Sequence, residues 1–292
     1  VLYYVIHSDF QGVLYYVIHS DFQGVLYYVI HSDFQGVLYY VINQFLIMEL
    51  IPMKKFKGMI LFEGGKYNPI VILYKYDSDN EKTGNMGQIY IIRSDMLPSK
   101  ALKTGNDYII CGYCIHSKQG TCYVNVGTGV DSIYRSWLNG NYEPLNYKIL
   151  KYKLKNSFVR FGAYGDPVFI PLELVEFISK NCKGWTGYSH QWQDPQFNAY
   201  KRYFMASVDN ESEYQKSIDL GWRSYRVSTN NETLNGEIMC PHDAESDTPI
   251  QCADCRLCDG LGRHKNARNI AVIVHGLQYK INKFNSIQVS TV

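Results

Sequence analysis

The sequence predicts an α/β fold: a partial or complete β/α barrel of the TIM type with cysteine-rich metal-binding loops, preceded by a short β-prone repeat tail. Three observations lead there. Between Phe158 and Gly276, β-prone runs alternate with helical patterns of about ten residues, which is how βαβ units on a parallel sheet read. Polar residues gather just after those runs, where barrel proteins keep their chemistry. Seven of the eight cysteines fall into two tight groups. With 46% hydrophobic and 19% charged residues, a chain of 292 residues can bury a sizeable core.

The chain opens on a repeat. VLYYVIHSDFQG occupies Val1–Gly12 and recurs unchanged at Val13–Gly24 and Val25–Gly36, and a fourth copy stops after Val37–Ile42. Each copy has an apolar β-prone run and a polar turn ending in Gly, so the copies predict a strand meander or a small solenoid. Identity at every position, solvent-facing ones included, points to recent duplication. It also spaces His7, His19 and His31 evenly without giving them a ligand role. MKKFKGMILFEGG, from Met53, reads as a natural beginning. The expected organisation is a dispensable repeat extension over residues 1–52 and a single barrel-like domain over 53–292.

From Met53 the elements follow in order. FKGMILFEGG and NPIVILYKY predict two strands joined through Gly64 and Gly65, and GQIYIIRS predicts a third. Pro98–Thr104 reads as a short helix, and VDSIYRSWLNG as an amphipathic helix stopped by Gly140. Tyr147–Lys155 alternates basic and apolar residues, which predicts a solvated edge strand or connector, with a phosphate-binding strip as the sharper alternative. FVRFGAYG, WTGYSH, KRYFMASVD, WRSYRVS and NIAVIVHG read as strands. PLELVEFISKNC and ESEYQKSIDLG read as the helices between them. The strand ends carry Gly165 with Asp166, Ser189 with His190, Ser207 with Asp209, Arg226 with Ser228, and His275. Of these, Asp166, His190 and His275 are candidates for acid–base or substrate-binding work. Gly165, Ser207 and Arg226 are candidates to hold a cofactor or small molecule in the barrel mouth. Asp166 and Asp209 are equally good helix starters.

The cysteines carry the strongest chemistry. Cys240, Cys252, Cys255 and Cys258 form C-P-x10-C-x2-C-x2-C, and C-x2-C spacing lets one turn aim two thiolates at one metal. Three such cysteines with a remote Cys-Pro match the ligation pattern of bacterial ferredoxins, which favours an iron–sulfur cluster over zinc. Cys111, Cys114 and Cys122 form C-x2-C-x7-C with His116 between them. These three thiolates fit either a Cys3His zinc site or a cluster with one open iron, and a composite site drawing on both groups stands as a third arrangement. Cys182, at a predicted helix end, reads as an ordinary thiol.

Taken together, CGYC, GTCYVNVG, YRSWLNGNY, VRFGAYGDP, GYSHQW, FMASVD, GWRSYRV, CP with CADCRLC, and VIVHG resemble an uncharacterised protein family encoded by phages and plasmids. The resemblance spans about Met53 to Gly276. That family is distantly similar to phage proteins with a radical-SAM-like barrel. The likeness implies a barrel, a cluster held by Cys111, Cys114 and Cys122, and S-adenosylmethionine as a cofactor. Radical-SAM enzymes space their cysteines C-x3-C-x2-C, and this chain does not.

Composition narrows the partners. A net charge of +2 and a pI near 8.0 are too mild to imply a nucleic-acid partner by themselves. No apolar run reaches the roughly 18 residues of a membrane span, so no membrane is expected. No secretory pattern is seen, and the expected compartment is the reducing cytoplasm of a bacterial host, where clustered thiols serve as ligands before disulfides. Walker, dinucleotide, G-x-S-x-G and H-E-x-x-H motifs are absent from the sequence. Three readings follow. One is a radical-SAM-like enzyme of a mobile element. The second is a zinc-stabilised nucleic-acid-binding protein using Tyr147–Lys155 and Gly262–Arg268. The third is a metal-stapled protein that binds a host partner without catalysis.

Overall fold

The computed structural model describes residues 3–6, 14–19, 26–31, 55–78, 80–242, 249–261 and 268–290. The chain divides into two compact units, Val1–Lys55 and Phe56–Val292. In the first, β1 (Tyr3–Ile6), β2 (Leu14–His19) and β3 (Leu26–His31) form an antiparallel meander. Its register sets tyrosine against valine across the strands, Tyr16 opposite both Val5 and Val29. His7, the fourth copy and Met53 lie outside the described residues.

The second unit has two sheets. β4 (Gly58–Glu63), β5 (Ile70–Lys75), β6 (Gly87–Arg93), β7 (Tyr142–Glu143), β8 (Phe158–Tyr164) and β9 (Gly184–Thr186) are ordered β7-β4-β5-β6-β8-β9. β5 runs antiparallel to both β4 and β6, and β6, β8 and β9 run parallel. β5 is buried along nearly its whole length, which is why NPIVILYKY is a continuous apolar run. β10 (Tyr188–Ser189), β11 (Met205–Val208), β12 (Ser224–Ser228), β13 (Glu237–Met239) and β14 (Asn269–Ile273) make an all-parallel sheet ordered β10-β11-β12-β14-β13.

The two sheets meet at one glycine. β9 and β10 are separated only by Gly187, so residues 184–189 pair first with β8 and then with β11. A Cβ at Gly187 would lie 2.6 Å from Phe204 Cδ1 and 3.3 Å from Phe161 Cβ, both on fully buried side chains. Among the described residues no pairing joins β7 to β13, so a closed barrel is not formed by these strands. The shared core includes Met59, Tyr74, Phe161 and Phe204, with large aromatics at its centre.

The helices connect the strands as the sequence predicts at Pro98–Thr104, Asp131–Leu138, Leu172–Asn181 and Glu211–Asp219. KRYFMASVD differs: Lys201 and Arg202 end a 3₁₀ segment, Pro195–Arg202, and only Met205–Val208 is strand. Tyr147–Leu154 is a helix, not the predicted edge strand. Asn146 caps it, its side-chain oxygen accepting from the amides of Lys148 and Ile149. Leu150 and Leu154, four apart, are the buried pair. The basic–apolar alternation concealed that spacing. No described helix is long and apolar enough to cross a membrane.

Candidate functional site

Cys111, Cys114 and Cys122 converge on one cavity of about 110 Å³. Cys111 ends the short helix Tyr108–Cys111, and Cys114 precedes the helix Ile115–Gln119. The turn between them is clamped by Gln191, just past β10. Its Oε1 accepts from the Tyr113 amide at 3.1 Å and its Nε2 donates to the Cys111 carbonyl at 3.0 Å. Burial pushes all three thiols up, Cys122 to about 11, and the Cys111 thiol is raised further by Asp107 and by the other two cysteines. As they stand, these are protonated thiols near one another.

Most of the polar residues predicted at strand ends line the same cavity. Gly165, Asp166, His190, Ser207, His275 and His116 all border it. Gly165 has φ +78°, and a Cβ there would sit 2.6 Å from the Ile91 carbonyl, so close chain crossing requires glycine. Asp166 is buried and accepts from the amides of Val168 at 3.2 Å and His190 at 2.7 Å. It therefore fixes the backbone of His190 as well as starting the 3₁₀ turn Pro167–Phe169. Burial raises its pKa, against the pull of His190 and these hydrogen bonds. His116 has both ring nitrogens engaged, Nδ1 with Thr121 Oγ1 at 2.9 Å and Nε2 with Asp209 at 3.1 Å. In this conformation it offers no lone pair to a metal. The His190 ring meets that of His116 edge-on at 5.3 Å. His275 is exposed at the rim, its Nδ1 2.9 Å from the Ile273 carbonyl.

Arg226 is not brought to the cavity. On β12, Tyr225 and Val227 line it, and strand alternation turns Arg226 to the other face. There it forms a buried bidentate pair with Glu237, its Nη2 2.7 Å from Oε2. Reading its strand position without fixing the parity of the strand put it on the wrong side.

The second cysteine group lines a separate cavity. Cys240, Cys252, Cys255 and Cys258 line one cavity of about 20 Å³. Cys240 follows β13, its amide donating to the Ala271 carbonyl, and Cys252 and Cys255 bound a single helical turn. Arg223 holds the loop beyond. It pairs with Asp259 at 3.1 Å and donates to the carbonyls of Leu257, Gly260 and Arg268. Burial, then Cys240, pushes the Cys258 thiol far up. Gly262–His264 and Lys265–Ala267, most of the second basic stretch, lie outside the described residues.

Tyrosines that spacing did not single out divide the two sites. Tyr188 and Tyr225, with ring centroids 4.1 Å apart, line both cavities. Each site also holds a buried hydroxyl with no hydrogen-bond partner among the described residues: Tyr164 beside Cys111 and Cys122, and Thr186 beside the second group. Orphaned buried hydroxyls are uncommon and call for an explanation. Cys182 takes no part in either site; it caps the helix Leu172–Asn181, its Sγ 3.4 Å from the Gly184 carbonyl. Among the described residues, no three His, Cys, Asp or Glu side chains are arranged to hold a metal ion as they stand.

Comparison of the chain with protein-family models, curated proteins and solved structures returns no match.

Proposed function

We propose that this chain is a metal-binding protein of a mobile element, with two thiolate centres built on a partial β/α barrel. What supports the reading is the convergence of seven cysteines, in two groups distant from each other in sequence, on two neighbouring cavities. The cavity at Cys111, Cys114 and Cys122, about 110 Å³, has room for an iron–sulfur cluster. The second, about 20 Å³, holds about one water-sized sphere, which suits a single ion such as zinc on four thiolates. Binding either metal needs rotation of cysteine side chains about χ1 and loss of their protons. Asp166 and His190 are the groups an enzyme built on the first centre would use to bind or protonate a substrate. S-adenosylmethionine as co-substrate remains an implication of the family resemblance.

The test is metal and sulfide analysis, with a visible spectrum, on full-length protein prepared without oxygen. Iron with sulfide and charge-transfer colour, plus zinc, is the expected result. Cys111→Ser should abolish the colour and spare the zinc, and Cys255→Ser should do the reverse. Metal-free protein with all eight thiols titrating as free would overturn the reading, and colourless protein holding zinc alone would overturn its iron–sulfur half.

One observation favours nucleic acid as a second reading. The helix Tyr147–Leu154 presents Tyr152, 77% exposed, among exposed Lys148, Lys151 and Lys155. An aromatic among lysines can stack on a base while the lysines meet phosphates. This reading requires binding of single-stranded DNA or RNA that weakens steeply with salt, and absence of binding at low salt disposes of it.

A further inference from the structure

A third cavity, of about 340 Å³, adjoins the first cysteine cavity and shares Tyr123, Val124, Tyr225 and His275 with it. Its character is different. Arg160, on β8, points into it and is nine-tenths buried, at 9% exposure. A buried guanidinium ordinarily has a carboxylate partner, because stripping water from a charge is costly. Arg160 has none among the described residues. Its one hydrogen bond is from Nη2 to Tyr123 Oη at 3.0 Å, and the guanidinium lies 5.5 Å from the Tyr188 ring centroid. A guanidinium has five N–H donors. None of the Arg160 nitrogens is among the buried atoms lacking partners, so its remaining donors face open space.

A second basic residue lines the same cavity. Lys82 borders it, with Nζ 3.4 Å from His275 Nε2. The other polar lining groups include Gln88, Asn80 and Asn125, and no Asp or Glu is among the described lining residues. A buried cation, a second cation and neutral donors around an accessible volume are complementary to an oxyanion. The planar fork of Arg160 matches the two oxygens of a carboxylate or phosphate. The volume falls in the range of small-molecule sites, which run from about 300 Å³ upward.

We propose that this cavity binds a small molecule through a carboxylate or phosphate group, with Arg160 as the two-point donor and Lys82 as the second charge. The bound anion lies beside the first cysteine cavity, with Tyr123, Val124, Tyr225 and His275 as the wall they share. The proposal does not depend on which metal, if any, the cysteines hold.

The experiment is calorimetric titration of the full chain with inorganic pyrophosphate and, separately, with succinate, at constant ionic strength. Saturable binding of at least one is expected, and which one binds tells phosphate from carboxylate. Arg160→Gln should weaken that binding about tenfold or more, equivalent to about 1.4 kcal/mol. Lys82→Gln should weaken it about threefold, and Arg202→Gln, on an exposed side chain, should leave it unchanged. If Arg160→Gln does not fold, Arg160→Lys and Lys82→Gln decide, and both should still bind more weakly than the parent. Failure of both anions to bind, or binding that every folded variant at Arg160 and Lys82 leaves unchanged, overturns the proposal.

Discussion

The two cysteine regions share a tyrosine wall and differ in nearly everything else. The first is roomy and rimmed by acids and imidazoles, with Asp107, Asp166, His116 and His190 around it. The second is tight and is held from behind by one arginine that donates to three carbonyls and to one oxygen of a buried carboxylate. The first is an open volume among titratable side chains, whereas the second is a filled loop tied by a buried ion pair. The same element, cysteine at C-x2-C spacing, serves both.

The largest expected effect tests the tied loop. Asp259→Ala leaves the Arg223 charge buried and unpaired, with side-chain exposures of 1% and 8% in the parent. Removing one partner of a buried pair costs about 3–5 kcal/mol. Urea denaturation should show that loss, and Cys258 should become reactive to a thiol reagent while Cys111 does not. Equal exposure of both groups would mean that the two regions are one cooperative site. Next comes Gly187→Ala, where the new methyl must displace the Phe204 ring; overpacking of this kind costs about 1–3 kcal/mol. Both regions should suffer, since the Gly187 amide donates to the Cys258 carbonyl at 3.0 Å.

Asp166→Asn sharpens the first region. The asparagine oxygen can still accept from one amide, but its NH2 replaces the acceptor that the other of Val168 and His190 needs, and loss of that hydrogen bond costs about 1 kcal/mol. The pH dependence is more telling. Burial raises the folded-state pKa of Asp166, so its favourable contribution is complete below the unfolded value, about 3.9, and is lost as pH rises through the folded one. Melting temperatures across pH should show that falling slope in the parent and a shallower one in Asp166→Asn. An unchanged slope would mean the carboxyl is not buried as described. The smallest effect lies outside both regions. Asp95→Asn breaks an exposed pair with Arg93 at 2.8 Å and should cost under about 1 kcal/mol, less in high salt.

Much of the fold was legible because burial writes itself into composition. β5 is apolar on both faces and reads as a strand without ambiguity. The helix Leu172–Asn181 shows its buried Leu174, Val175 and Ile178 at helical spacing. The helix Tyr147–Leu154 was hidden because its lysines fall at every second or third place, where a strand would also put them. The cysteine groups were legible from spacing alone, but their separation by Tyr188 and Tyr225 was not, since an aromatic on a strand reads the same whether it packs in a core or divides two cavities. Arg160 was missed for a related reason. A charged residue inside FVRFGAYG signals either an edge or a site, and only the three-dimensional neighbours tell them apart. Arg226 shows the converse, a charge within a strand that serves an ion pair with Glu237.

The passage at Gly187 also bears on the order in which the molecule is made. Every strand of the mixed sheet precedes every strand of the parallel one in sequence, and the chain crosses between them once. During synthesis the mixed sheet can complete its pairing, β9 on β8, while the strands of the parallel sheet are still emerging. β10, two residues on from β9, then presents a fixed edge on which β11 registers. Parallel pairing is slow because it joins distant residues, and a template already in place removes the slowest search. The last cysteine loop docks at that same junction, the Gly187 amide donating to the Cys258 carbonyl, so this loop can settle only when the ribosome has finished with nearly the whole chain.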